Sequence, residues 1–250
     1  MSKYIKIFET VSAFQSAQAT LDLPNVSLTI DNNIVHYLPY VTPFHDYVEI
    51  GGIKWATMNL GANSITDTGL YYQWGDTQGY SASQVGNGEG QKYFGWTDYK
   101  YCDGTNNPKS ENMIKYNYED NLLTLLPEDD AVTAAWGGNW RMPTKSEWQI
   151  LDEAVTKLWT NDYEGSGVAG AILTDKTDIS KVLFLPITNS YYDGKPGYFP
   201  NNCYYWSSTR FTNTNNCLNG TCILYGQNNK DLNVMGIRKI GYVIRGILDE

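Results

Sequence analysis

The sequence predicts an α+β fold in two parts, on three observations. A helix start is written at Pro143-Thr144-Lys145-Ser146-Glu147, alternating strand patterns fill the first 45 residues, and aromatic-rich blocks recur along the rest. At the helix start, Pro143 suits a first helical position because its missing N–H costs nothing there. Thr144 can cap the new turn, Glu147 completes a capping box, and Trp148, Leu151 and Val155 follow at helical intervals. In the N-terminal part, Tyr4-Ile5-Lys6-Ile7-Phe8 alternates as a strand and Ser12 can cap a short helix over 13–21 carrying Phe14, Ala17 and Leu21. Pro24-Asn25 breaks that helix. Val26 to Ile30 and Ile34 to Leu38 then form a hairpin around Asp31-Asn32-Asn33. Such a β-α-β-β unit is too small to stabilise itself and needs a partner, copies of itself, or the remaining chain. Pro39 and Pro43 stiffen a linker, so the expected boundaries are residues 1–45 and 46–250.

Composition narrows the function classes. The chain has 250 residues and a net charge of −9, with no Lys/Arg cluster to hold phosphates, which argues against nucleic-acid binding. Aromatic residues reach 14% while charged residues are 18%. That balance suits a face built of Tyr, Asn, Ser and Thr, the adaptable chemistry of binding surfaces, although many of the rings must fill a core. Met1-Ser2-Lys3-Tyr4 runs into a strand pattern without an apolar leader, and no stretch reads as a transmembrane helix. The expectation is a chain folded in a cytoplasm, with Cys102, Cys203, Cys217 and Cys222 reduced.

Chemistry-bearing motifs are sparse. His36 and His45 are the two histidines, and neither has zinc-site spacing to a cysteine. Glu128-Asp129-Asp130 could ligate a cation, but it sits where a turn should enter the Trp136-Gly137-Gly138-Asn139-Trp140 block. No Ser-His-Asp or Cys-His set and no phosphate loop leading into a helix can be argued. Gly86, Gly88 and Gly90 lie in a polar, flexible excursion. The expectation is no enzyme, no cofactor and no metal.

Several blocks carry a resemblance. They are Val48-Glu49-Ile50-Gly51-Gly52-Ile53-Lys54-Trp55-Ala56, Tyr71-Tyr72-Gln73-Trp74-Gly75-Asp76, Glu128-Asp129-Asp130-Ala131, Arg141-Met142-Pro143-Thr144, Phe184-Leu185-Pro186 and Tyr205-Trp206-Ser207-Ser208-Thr209. Their order resembles the C-type-lectin-like domain of bacteroidal major paralogous-domain proteins, a relative of the formylglycine-generating-enzyme fold. The last strand, Tyr242-Val243-Ile244-Arg245-Gly246-Ile247, keeps the family arginine and lacks its proline. The resemblance implies buried Trp55, Trp74, Trp140, Trp148 and Trp206, with two helices flanking an antiparallel sheet. Cys217 and Cys222 have the spacing of the copper-binding pair of formylglycine-generating enzymes, but the Arg-Gly-Gly-Ser context is missing. Phe8-Glu9-Thr10 with Ser12 and Phe14, Leu23-Pro24-Asn25-Val26-Ser27-Leu28, and Val35 with Tyr37 make a pattern over about 40 residues that resembles the leading segments of virion proteins from crAss-like tailed phages. That implies a docking module, homotrimeric as phage fibres commonly are. The expected function is a virion structural protein (head fibre, capsid decoration or tail-associated) whose lectin-like head binds host-surface glycan or protein. The alternative is a bacterial formylglycine-generating-enzyme-like protein or lectin-like surface module.

In related lectin-like domains of diversity-generating systems, variation follows the Tyr-Trp-Ser-Ser-Thr block. The corresponding segment here is rich in asparagine, which fits either diversification or plain Asn-rich turns. The expected ligand contacts are Arg210 and Phe211 as anchors, with Asn213, Asn215, Asn216, Gln227, Asn228, Asn229 and Asn233 supplying paired donors and acceptors.

Overall fold

The computed structural model describes residues 7–8, 26–31, 34–39, 45–197, 201–212 and 216–250. The chain divides into two compact units, Met1–Phe44 and His45–Glu250. In the first, β1 (Ile7–Phe8), β2 (Val26–Asp31) and β3 (Ile34–Pro39) form one antiparallel sheet in the order β1-β3-β2. Thr29 of β2 and Ile7 of β1 both face His36 of β3 in register. The helix expected over 13–21 lies outside the described residues.

The second unit starts with a hairpin of β4 (Tyr47–Ile50) and β5 (Ile53–Asn59), turned by Gly51 and Gly52 at φ 62° and 76°, a region that favours glycine. The chain's final strand, β15 (Arg245–Leu248), pairs with β5 and with the short β6 (Trp140–Arg141), completing the sheet β4-β5-β15-β6. Two three-stranded antiparallel meanders follow. One is β7 (Val155–Thr160), β8 (Gly170–Asp175) and β9 (Val182–Pro186); the other is β12 (Asn202–Arg210), β13 (Asn219–Gly226) and β14 (Lys230–Ile237). The hairpin β10 (Ser190–Tyr192) and β11 (Lys195–Gly197) lies between them in sequence.

The α+β expectation is thereby corrected. The fold is sheet-rich, 38% strand against 14% helix, in several small antiparallel sheets. Two short α-helices are described, α1 (Ala131–Trp136) and α2 (Lys145–Ala154). The physical reason is visible at α2. Thr144 and Glu147 do form the capping box, with Pro143 just outside the helix, but Val155 is not a further helical position. Its φ and ψ of −115° and 156° are extended, and Val-Thr-Lys-Leu-Trp-Thr continues as β7. Among the described residues no helix is long and apolar enough to cross a membrane.

Two aromatic cores fill the unit. Trp55 and Trp148 share one with Phe94, Tyr205 and Tyr225, while Trp74, Trp140 and Trp206 share the other with Tyr99, Tyr116 and Met142. All five of these tryptophans are buried. Two indoles cross-tie distant sequence blocks: Trp74 Nε1 donates to the Ser207 carbonyl at 2.9 Å and Trp206 Nε1 to the Tyr72 carbonyl at 2.8 Å. Buried N–H donors need such partners, so these two contacts fix the register between the blocks. Arg245 is fully buried and donates to the carbonyls of Ala56 and Phe184, which explains a charged residue in the last strand.

Candidate ligand-binding surface

The segment from Arg210 to Asn233 does not make one surface. Strand β13 spans eight residues, so its ends stand about 23 Å apart at the usual strand rise. Gln227, Asn228 and Asn229 lie exposed in the β13–β14 turn, closed by the Gly226 N–H donating to the Asn229 carbonyl at 2.9 Å. Lys157 Nζ reaches the carbonyls of Gly226 and Asn229 there. Asn233 is half-buried and accepts a 2.8 Å hydrogen bond from Lys145 Nζ. At the other end, the half-buried Asn216 accepts from Leu218 N and from Asn219 Nδ2. Asn213 and Asn215 lie outside the described residues.

Arg210 and Phe211, expected as anchors, are corrected outright: they are 8% and 7% exposed. Phe211 is an apolar side chain that gains by leaving water. The guanidinium of Arg210 donates through Nη1 to the carbonyls of Tyr116 and Asn117, at 3.2 and 2.5 Å. An Arg-Phe pair at a strand end reads as surface in one dimension; its acceptors lie more than 90 residues upstream.

Those acceptors identify the neighbouring feature that the sequence did not single out, the loop 110–121. Arg238, fully buried over the face of Trp74 at 4.6 Å, donates to the carbonyls of Lys115 and Tyr116 at 3.3 and 2.8 Å. Tyr116 sits at φ 57°, a left-handed conformation that costs free energy for a non-glycine residue and needs such enforcement. Its hydroxyl donates to Asp129 Oδ2 at 2.5 Å, and Lys115 and Lys100 pair with the same carboxylate. Burial opposes ionisation of Asp129, but hydrogen bonds from Lys115 and Tyr116, the nearby Tyr101 hydroxyl and the charge of Lys100 outweigh it, lowering its pKa to about 2. The Asn117 side chain closes the loop on itself, donating to the Met113 carbonyl and accepting from the N–H groups of Glu119 and Asp120. Ser110 Oγ accepts from Cys217 N at 3.0 Å, joining the loop to the Asn216 end of the sheet.

A loop pinned this way holds its outward side chains in place. Ile114 and Tyr118 are 62% and 51% exposed, and Leu123, just beyond the loop, is 52% exposed. An open groove of about 540 Å³ runs past Ser110, Glu111, Ile114, Asn117, Tyr118 and Glu119. Apolar faces mixed with amide, hydroxyl and carboxylate groups fit a sugar or a neutral peptide, and Glu111 and Glu119 disfavour an anionic polymer. Within the acidic run 128–130, Asp129 is used as above, Asp130 caps α1 through Val132 N and Thr133 N, and the exposed Glu128 pairs with Lys115 at 3.4 Å. Among the described residues, no group of three or more His, Cys, Asp and Glu gathers as metal ligands. All four cysteines are free and buried, and burial pushes the Cys222 thiol up. No family model matches the chain, and no curated protein or solved structure matches it.

Proposed function

We propose that the chain is a virion structural protein of a tailed phage of gut anaerobes, a head fibre, capsid decoration or tail-associated protein assembled in the host cytoplasm. In this reading residues 1–45 attach it to other virion proteins as a homotrimer. The 46–250 domain, lectin-like by its Trp-containing blocks, binds a host-surface glycan or protein and carries no enzymatic site. The virion half of the reading is supported by the resemblance of the first 40 residues. The binding half is supported by one observation above others: buried Arg210 and Arg238 spend their donors on loop carbonyls, and the loop so fixed leaves Ile114 and Tyr118 in solvent. Exposed apolar side chains on a rigid loop are the usual anchors of recognition.

The test uses particles carrying either the native chain or one lacking residues 1–44. The native chain should co-purify with particles and support adsorption to host cells. The truncated chain should stay folded and soluble but be absent from particles. Normal incorporation of the truncated chain would refute the attachment role.

A further inference from the structure

The loop 69–98 contains a cluster with no part in the groove. Lys92 has a side chain only 8% exposed, and Gln73 is 1% exposed. Lys92 Nζ lies 2.7 Å from Gln73 Oε1. The orientation of the Gln73 amide is fixed independently, because its Nε2 donates to the carbonyls of Gly95 and Lys239, both at 3.1 Å. Given a carbonyl bond of about 1.2 Å, Nζ is within about 4 Å of the Gln73 carboxamide carbon. Asp98 spans the pair: its Oδ2 is 3.1 Å from Lys92 Nζ and its Oδ1 is 3.4 Å from Gln73 Nε2. The N–H groups of Phe94 and Gly95 hold that carboxylate in place. Tyr80 and Phe94 flank the ammonium at 5.2 and 5.5 Å, and Asp76 stands at 4.0 Å.

We propose that Lys92 and Gln73 are the two halves of an intramolecular isopeptide cross-link, with Asp98 as its proton shuttle. Lys92 Nζ gives a proton to Asp98 Oδ2, and its lone pair attacks the Gln73 carboxamide carbon, forming the C–N bond. The Asp98 carboxyl then turns to hand that same proton from Oδ2 to Nε2, and a second proton moves from Nζ to the same nitrogen. The C–Nε2 bond breaks, ammonium departs and Asp98 is again a carboxylate. Two protons leave Nζ and both end on the leaving group, so charge and atoms balance without an oxidant, a metal or a second substrate. The fold supplies what the reaction lacks in water: a fixed nucleophile and a fixed acyl carbon on two buried side chains, with a carboxylate held against both.

Mass spectrometry of the full-length chain tests this directly. The intact mass should fall about 17 Da below the sequence sum, the mass of one ammonia, and digestion should yield a branched peptide joining residues 73 and 92. Lys92→Arg and Gln73→Leu should each restore the sequence mass. Asp98→Asn, which retains both reacting groups, should leave most of the protein unlinked. Native protein that keeps the sequence mass after days at about pH 8, with residues 73 and 92 in separate peptides, would overturn the proposal. So would a lighter species whose lost ammonia maps to an asparagine instead. If a variant does not fold, the branched peptide from the native chain still decides.

Discussion

The two ends of the β12–β13–β14 sheet carry the same residue types and are built differently. At the Gln227–Asn229 end, a tight turn stands in solvent, and the Lys157 side chain reaches its carbonyls from outside. At the Asn216 end, two buried guanidinium groups reach outward from the sheet and grip the carbonyls of another loop. The first arrangement orders only itself. The second transmits the rigidity of the core to residues 110–121, and that loop then displays apolar side chains. Asparagine content alone does not mark a recognition surface; what holds the backbone behind it does.

The sharpest way to break the comparison is to remove a grip. Arg238→Ala deletes the donors to the Lys115 and Tyr116 carbonyls and opens a void against Trp74. A hydrogen bond from a charged donor contributes about 1.5–3 kcal/mol, and cavity formation adds to it, so the expected loss is about 3–5 kcal/mol. Urea unfolding followed by tryptophan fluorescence measures it. A loss below about 1 kcal/mol would mean that the loop does not depend on this arginine.

Acid should loosen the groove end through Asp129. Its folded pKa of about 2 lies below the ordinary value of 3.8, so the group stabilises the fold fully above pH 4. That contribution disappears as pH falls through about 2, and the shift corresponds to about 2 kcal/mol. The difference in unfolding free energy between native protein and Asp129→Asn should therefore be largest above pH 4 and shrink toward pH 2. A difference that does not change with pH would place the stabilisation elsewhere. Asp130, whose pKa burial raises, contributes with the opposite sign and is present in both proteins.

The sequence made some of this legible. The Thr144–Glu147 capping box is local, and local rules found it. The burial of Trp55, Trp74, Trp140, Trp148 and Trp206 was legible through the resemblance, because they recur in its blocks and no single exposed face could use all five. The end of α2 was misread because Val155 satisfies a helical period and a strand start equally well, and pairing with β8 decides between them. The groove was not legible at all. It depends on Arg210 and Arg238 meeting carbonyls 93 to 123 residues away, and backbone carbonyls leave no trace in side-chain identity. The β-rich outcome has the same origin, since long-range ladders carry little local signal.

A double substitution at the groove sharpens the comparison on the side of function. Ile114 and Tyr118 are more than half exposed, so Ile114→Ala with Tyr118→Ala should leave the unfolding midpoint nearly unchanged. Adsorption of particles carrying the double variant to host cells should fall at least about tenfold, equivalent to about 1.4 kcal/mol. Undiminished adsorption would remove this groove from the recognition surface.

The smallest effect is expected at the opposite end. Asn228 is exposed in the β13–β14 turn and is not among the residues with positive φ, so alanine meets no backbone strain there. The hydrogen bond that closes the turn runs between the main chains of Gly226 and Asn229, and an alanine at 228 leaves it intact. Asn228→Ala should therefore change stability by less than about 0.5 kcal/mol. It should also leave adsorption at the native level, because the turn stands about 23 Å from the pinned loop along β13. The measurement is the same adsorption assay, run beside the groove variant. If Asn228→Ala abolished adsorption while the groove variant did not, recognition would belong to the free-standing turn, and the rigidity imposed by Arg210 and Arg238 would serve folding alone.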